Sequence, residues 1–140
     1  MSDQAEPAFR ILDEDAALTP PEAERYLKQV SNELARAQVA LRRLRYEELR
    51  LKKQYTEART ELLFSPECPQ AGRSEGQVTV AERDAWVDSR IECHWQYESL
   101  QVQVKNAEDY LRTVGKQVSI AQSLNNTAKE LYGSFRGDGR

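Results

Sequence analysis

Between Pro21 and Pro66 the chain contains neither proline nor glycine, and apolar residues recur through that stretch at alternating steps of three and four. The series runs Leu27, Val30, Leu34, Ala37, Leu41, Leu44, Glu48, Leu51, Tyr55, Ala58 and Leu62, with Glu48 its one charged member. Three-four spacing sustained over more than about three heptads marks a coiled-coil seam rather than a chance amphipathic turn. A matching series follows in the second half: Cys93, Tyr97, Leu100, Val104, Ala107, Leu111, Val114, Val118 and Ala121, continued by Asn125, Ala128 and Tyr132.

Start and stop signals divide the chain. In Thr19-Pro20-Pro21-Glu22, Thr19 can cap, Pro20 suits the first helical turn, and Glu22 can reach back to the cap amide. Thr79-Val80-Ala81-Glu82 repeats the device. Pro66, Pro69, Gly72 and Gly76 interrupt the helical pattern between them, and Gly133 predicts a C-terminal stop. The expected layout is an acidic N-terminal segment over 1–18, a helix over 19–64, a turn over 65–78, a helix over 79–132 and a flexible tail over 133–140.

At about 1.5 Å per residue these helices would be roughly 65 and 80 Å long, too long to sit inside a compact globule. A short turn requires antiparallel pairing, with Leu41 near Ala107, Glu48 near Leu100 and Leu62 near Trp86. The fold class is therefore all-α, a long antiparallel two-helix hairpin of coiled-coil type. Its overhanging second helix leaves Ala128, Leu131 and Phe135 for Phe9, Ile11, Leu12 and Leu18 to cover.

Apolar residues make up 39% of the chain and charged residues 31%, a balance that suits half-exposed helices better than a thick core. A hairpin buries only one stripe of each helix and is marginal alone. Apolar residues off the seam suggest a second face: Val87, Ile91 and Trp95 near the turn, Val39, Tyr46 and Leu49 at mid-helix, and Ile120, Leu124 and Leu131 at the far end. Such a face predicts self-association into a helical bundle, a homodimer first.

No stretch approaches the ~20 apolar residues of a membrane span, and the N-terminus is acidic where a signal peptide would be basic. Cytoplasmic residence is expected. Cys68 and Cys93 form no C-x-x-C pair, so neither a disulfide framework nor a zinc site is signalled. The net charge of −3 argues against whole-chain attraction to nucleic acid. No phosphate-binding glycine loop, metalloprotease motif or Ser/His/Asp set is present, so no catalytic residue, metal or cofactor is expected. Arg136-Gly137-Asp138 and the sequon Asn125-Asn126-Thr127 read as accidental in a chain with no secretion signal.

Two clusters stand out. Trp86, Cys93, His94, Trp95 and Tyr97 gather both tryptophans and the single histidine. Adjacent Cys93 and His94 would point about 100° apart on a helix, which disfavours metal or nucleophile chemistry. Aromatic packing or partner contact fits better, and Trp and Arg dominate interface hot spots. The candidate partner-binding residues are Trp86, Arg90 and Trp95, with Ile120, Leu124 and Leu131. The second cluster, Arg36, Arg42, Arg43, Arg45, Arg50, Lys52 and Lys53, has charge enough to grip a phosphate backbone. Its plainer reading is a solvated flank paired with Asp88, Glu92, Glu98, Glu108 and Asp109 across the seam.

Two charged, capped helices joined by a Pro/Gly-rich turn, with the restart Thr79-Val80-Ala81-Glu82-Arg83, resemble the small helical-hairpin proteins of actinobacterial tailed phages. The resemblance implies a phage protein of the host cytoplasm, an accessory in replication or recombination or a binder of a host factor, and it carries no catalytic residues. The sequence thus points to a non-enzymatic protein–protein interaction or assembly module, with nucleic-acid binding by the basic face of the first helix as the alternative.

Overall fold

The computed structural model describes residues 10–138, with side chains over 10–133. Its regular elements are three helices, α1 (Pro20–Leu63), α2 (Val80–Asp88) and α3 (His94–Asp138). The two long ones pack against each other. No helix among the described residues is long and apolar enough to cross a membrane.

Both capping signals operate. The Thr19 amide donates to Glu22 Oε1 at 3.1 Å while the Glu22 amide donates to Thr19 Oγ1 at 3.4 Å, satisfying two orphan donors reciprocally. The hydrogen bonds from Thr19 hold the Glu22 carboxyl below its ordinary value. At α2, the Glu82 amide donates to Thr79 Oγ1 at 3.1 Å. Gly76 takes φ +85°, a left-handed conformation costly for any residue with a Cβ, and so turns the chain back before Val78 hydrogen-bonds Gln70.

The helix expected over 79–132 is in fact two helices, although no proline or glycine parts them. In a continuous helix the Trp86 carbonyl would accept the Arg90 amide. Here it accepts the Ser89 hydroxyl at 2.8 Å and Arg90 Nη1 at 3.1 Å, while the Arg90 amide turns to Val87 O. Side chains that capture a backbone carbonyl compete with the helical ladder, and α2 ends there. The break also resets the apolar phase. Val87 and Ile91, out of step with Cys93, Tyr97 and Leu100, become buried core residues instead of an outer face.

Contacts divide the chain into two compact units, Met1–Leu41 with Asn106–Arg140, and Arg42–Lys105. In the first, α1 buries Ala23, Tyr26, Val30, Glu33, Ala37 and Leu41, and α3 buries Val114, Gln117, Ala121, Leu124, Asn125 and Ala128. Tyr26 meets Gln117 and Glu33 meets Tyr110, so seven residues forward on α1 correspond to seven back on α3, an antiparallel pair. The seam is rotated slightly from the expected one and its register is shifted, since Leu41 with Ala107 would have set Tyr26 opposite residue 122 where it meets Gln117. Leu27 and Leu34 are half-buried beside Tyr26 and Glu33, and the innermost carboxylate belongs to Glu33, with Glu48 only half-buried.

The N-terminal segment does cover this unit, at a different place from that expected. The Leu12 amide donates to Gln117 Oε1 at 3.0 Å and Gln117 Nε2 donates to Leu12 O at 3.3 Å, so a side-chain amide pairs with backbone as a strand would. The Tyr26 hydroxyl lies between Arg10 O, at 2.6 Å, and Gln117 Oε1, its single proton divided between two acceptors. Leu12 and Leu18 then pack on Tyr26, Val30 and Ala121, whereas Ile11 and Leu131 stay exposed. Phe9 and the Phe135 side chain lie outside the described residues. Nor does α3 stop at Gly133, which has no positive φ; a glycine costs a helix interior only about 1 kcal/mol relative to alanine, and α3 continues to Asp138.

Candidate interaction surface

Unit 2 (Arg42–Lys105) is fastened by a polar clamp between α1 and α2. The Tyr55 hydroxyl donates to Asp88 Oδ1 at 2.7 Å, and Arg59 reaches Asp84 at 3.0 Å and Asp88 at 3.6 Å. Four residues forward on α1 match four back on α2, so this pair is antiparallel as well. Burial, then the bond to Asp88, pushes the Tyr55 hydroxyl up, and Arg59 holds the Asp84 carboxyl down. The Tyr55 ring stacks on Tyr97 at 5.0 Å and on His94 at 5.9 Å between centroids, which seats the first turn of α3. Periodicity had marked Tyr55 as a seam residue; nothing in an apolar pattern could mark Arg59 and Asp84.

The aromatic cluster accordingly separates into two roles. Trp86 is half-buried under the Arg90 guanidinium, 3.9 Å from its ring centroid, and Arg90 also holds the Trp86 carbonyl and Ser89 Oγ. That pair is engaged in the joint between α2 and α3. Trp95 is 77% exposed, its ring 5.7 Å from that of His94 and edge-on to it. It walls a groove of about 490 Å³ with Glu47, Arg50, Leu51, Ser99, Leu100 and Gln103.

The other expected partner residues lie in unit 1 and form no single patch. Leu124 is 5% exposed and belongs to the core, because its position on α3 faces α1; Ile120 is half-buried, and Leu131 is exposed. The sequon residue Asn125 is buried as well. Among the described residues there is no group of three or more His, Cys, Asp or Glu side chains able to hold a metal ion.

All seven basic candidates are exposed, with Arg36 in unit 1 and the other six in unit 2. Three of the acids expected to pair with them across the seam are engaged elsewhere: Asp88 with Arg59 and Tyr55, Glu98 with His94, Asp109 with Arg112. Arg50 pairs with Glu47 on its own helix at 2.8 Å, and Arg36 with Glu33 at 3.6 Å. Between the cations stand Tyr46 and Leu49, 70% and 67% exposed. They bound a recess of about 430 Å³ with Arg50, Lys52 and Lys53.

Compared with known proteins, the chain matches no family model, no curated sequence and no solved structure.

Proposed function

We propose that the chain is a non-enzymatic helical interaction module that engages a protein partner through unit 2. The observation that carries this reading is Trp95, an indole held 77% in solvent on the wall of a groove whose floor is Leu51 and Leu100. Tryptophan offers a large contact area at little cost in side-chain entropy, and it heads the residue types found at interface hot spots. An accessory role of the kind suggested by the phage helical hairpins, acting on a host or phage partner or on a second copy of the chain, fits such a module. A photo-crosslinking residue at position 95 tests it in cells that make the protein. Discrete protein adducts at 95, absent when the crosslinker stands at exposed Lys129, are the expected result. Nucleic-acid adducts, or equal labelling from both positions, would overturn it.

A second reading rests on the basic residues, because all seven are exposed and six of them lie in unit 2. In that reading Arg42, Arg43, Arg45, Arg50, Lys52 and Lys53 grip phosphates. Binding to single- or double-stranded DNA would then fall steeply with salt, with a slope of about −0.7 to −0.9 per phosphate contact.

A further inference from the structure

We infer that the outward face of α1 in unit 2 is a second coiled-coil seam, and that it takes an amphipathic helix whose flanks are acidic. The inference rests on the interaction-module reading and names the partner's chemistry. With Leu44 and Leu51 turned inward, the opposite side of the helix carries Arg42, Tyr46, Leu49 and Lys53, spaced four, three and four, and all are exposed. This is the spacing of the inner positions of a coiled coil. Tyr46 and Leu49 supply the apolar ridge, and the aliphatic stems of Arg42 and Lys53 extend it while keeping their charges in water.

The positions flanking that ridge decide the partner. In a heptad with Tyr46 at the first inner position, the flanks are Arg43, Arg45, Arg50 and Lys52, every one a cation and every one exposed. Flank charges set orientation and partner choice in coiled coils. Two copies joined through this face would set cations against cations, so it selects against a homodimer and for a helix carrying glutamate or aspartate at the same places. The Arg50–Glu47 pair does not obstruct this, since an exposed pair three residues apart is weak and exchanges readily. The recess beside Tyr46 and Leu49 has room for one branched aliphatic side chain from the partner. A phosphate backbone would use the cations and leave Leu49 unmatched. The face is also continuous with the proposed site, because Arg50 lines both this recess and the groove of Trp95.

The test is a binding titration of the full chain with synthetic helices of about four heptads that share a Leu/Ile ridge and differ only in flanks of Glu or of Lys. At about 0.05 M salt the Glu-flanked helix should bind at least about tenfold tighter than the Lys-flanked one, and the gap should narrow at about 0.5 M. Arg43→Glu, Arg45→Glu, Arg50→Glu and Lys52→Glu together should invert the preference, an outcome that misfolding cannot imitate. Tyr46→Ser with Leu49→Ser should weaken the Glu-flanked helix by about tenfold and leave the charge preference in place. Equal binding of both helices would overturn the inference. So would tighter binding of duplex DNA or of phosphatidylserine vesicles that is indifferent to Tyr46→Ser and Leu49→Ser. If the crosslinks from position 95 persist while the helices show no charge preference, only the partner chemistry is lost; if the crosslinks fail, the interaction module itself is lost.

Discussion

The two units draw on the same kind of sequence and differ in how polar side chains fasten them. Unit 1 takes polar groups inward. Glu33, Gln117 and Asn125 are buried in its seam, and Gln117 receives the N-terminal segment through bonds to both backbone groups of Leu12. Unit 2 keeps a partly exposed clamp of Tyr55, Arg59, Asp84 and Asp88 and leaves Tyr46, Leu49, Trp95 and Val102 in solvent. A buried polar group that finds its partners, as Gln117 does with Leu12 and Tyr26, favours one arrangement of the chain. Exposed large apolar groups do nothing for the fold and become useful when something covers them. The contrast separates a unit whose polar fastening is buried from one whose fastening is half-exposed and whose exposed side chains include a tryptophan.

The largest expected effect tests where the inward side of unit 1 lies. Leu124→Glu should destabilise by roughly 3 to 5 kcal/mol in a urea titration, since it removes a buried side chain and leaves a carboxylate in its place. Leu131→Glu, at a position 64% exposed, should change stability by less than about 0.5 kcal/mol. Equal costs at the two sites would erase the boundary between core and surface drawn along α3.

A smaller effect compares the polar fastening of each unit. Gln117→Leu strips partners from the Leu12 amide and carbonyl and from one side of the Tyr26 hydroxyl, a loss of about 1 to 3 kcal/mol. Amide exchange over 10–18 should quicken with it. Arg59→Ala breaks ion pairs that remain partly in water, about 29% and 36% exposed on the two sides of the closer one, and should cost only about 1 kcal/mol. An Arg59→Ala loss larger than that of Gln117→Leu would mean that unit 2, too, depends on an interior polar device.

Much of this layout was written in the sequence, and the omissions share a cause. Caps at Thr19 and Thr79, the all-helical class and the antiparallel sense follow from residue type and spacing alone. An apolar scan cannot see a seam position held by a polar residue, so Glu33 and Gln117 were invisible as core and Glu48 drew the attention instead. The break between α2 and α3 left a mark, the phase slip of Val87 and Ile91 against Tyr97 and Leu100. A second face and a helix break both produce out-of-step apolar residues, and only the side-chain capture of the Trp86 carbonyl distinguishes them. For the surface, composition alone marks Trp95, whereas the basic cluster and the off-seam Tyr46 and Leu49 belong together only through their shared exposure on one helix.

The smallest effect concerns a cross-helix bond of unit 1 that joins two titratable side chains, Tyr110 and Glu33. The Tyr110 hydroxyl donates to Glu33 Oε1 at 2.8 Å, and its pKa is pushed up to about 12, first by burial and then by the bond to Glu33. In the unfolded chain a tyrosine loses its proton near pH 10. A folded-state value above the unfolded one means that the native chain holds the proton more tightly, so this contribution is complete below about pH 10 and disappears as pH climbs toward 12. Above that range a phenolate would face the Glu33 carboxylate across the seam, and the bond would become a repulsion. Tyr110 is 43% exposed, so solvent screens the interaction and the change should be slight. Thermal melts of the chain and of Tyr110→Phe should therefore run nearly parallel up to about pH 10 and converge between about pH 10 and 12, where only the parent loses this bond. A gap that stays constant across that interval would show that the hydroxyl keeps or gives up its proton equally in both states, and the bond to Glu33 would then add no pH-dependent stability.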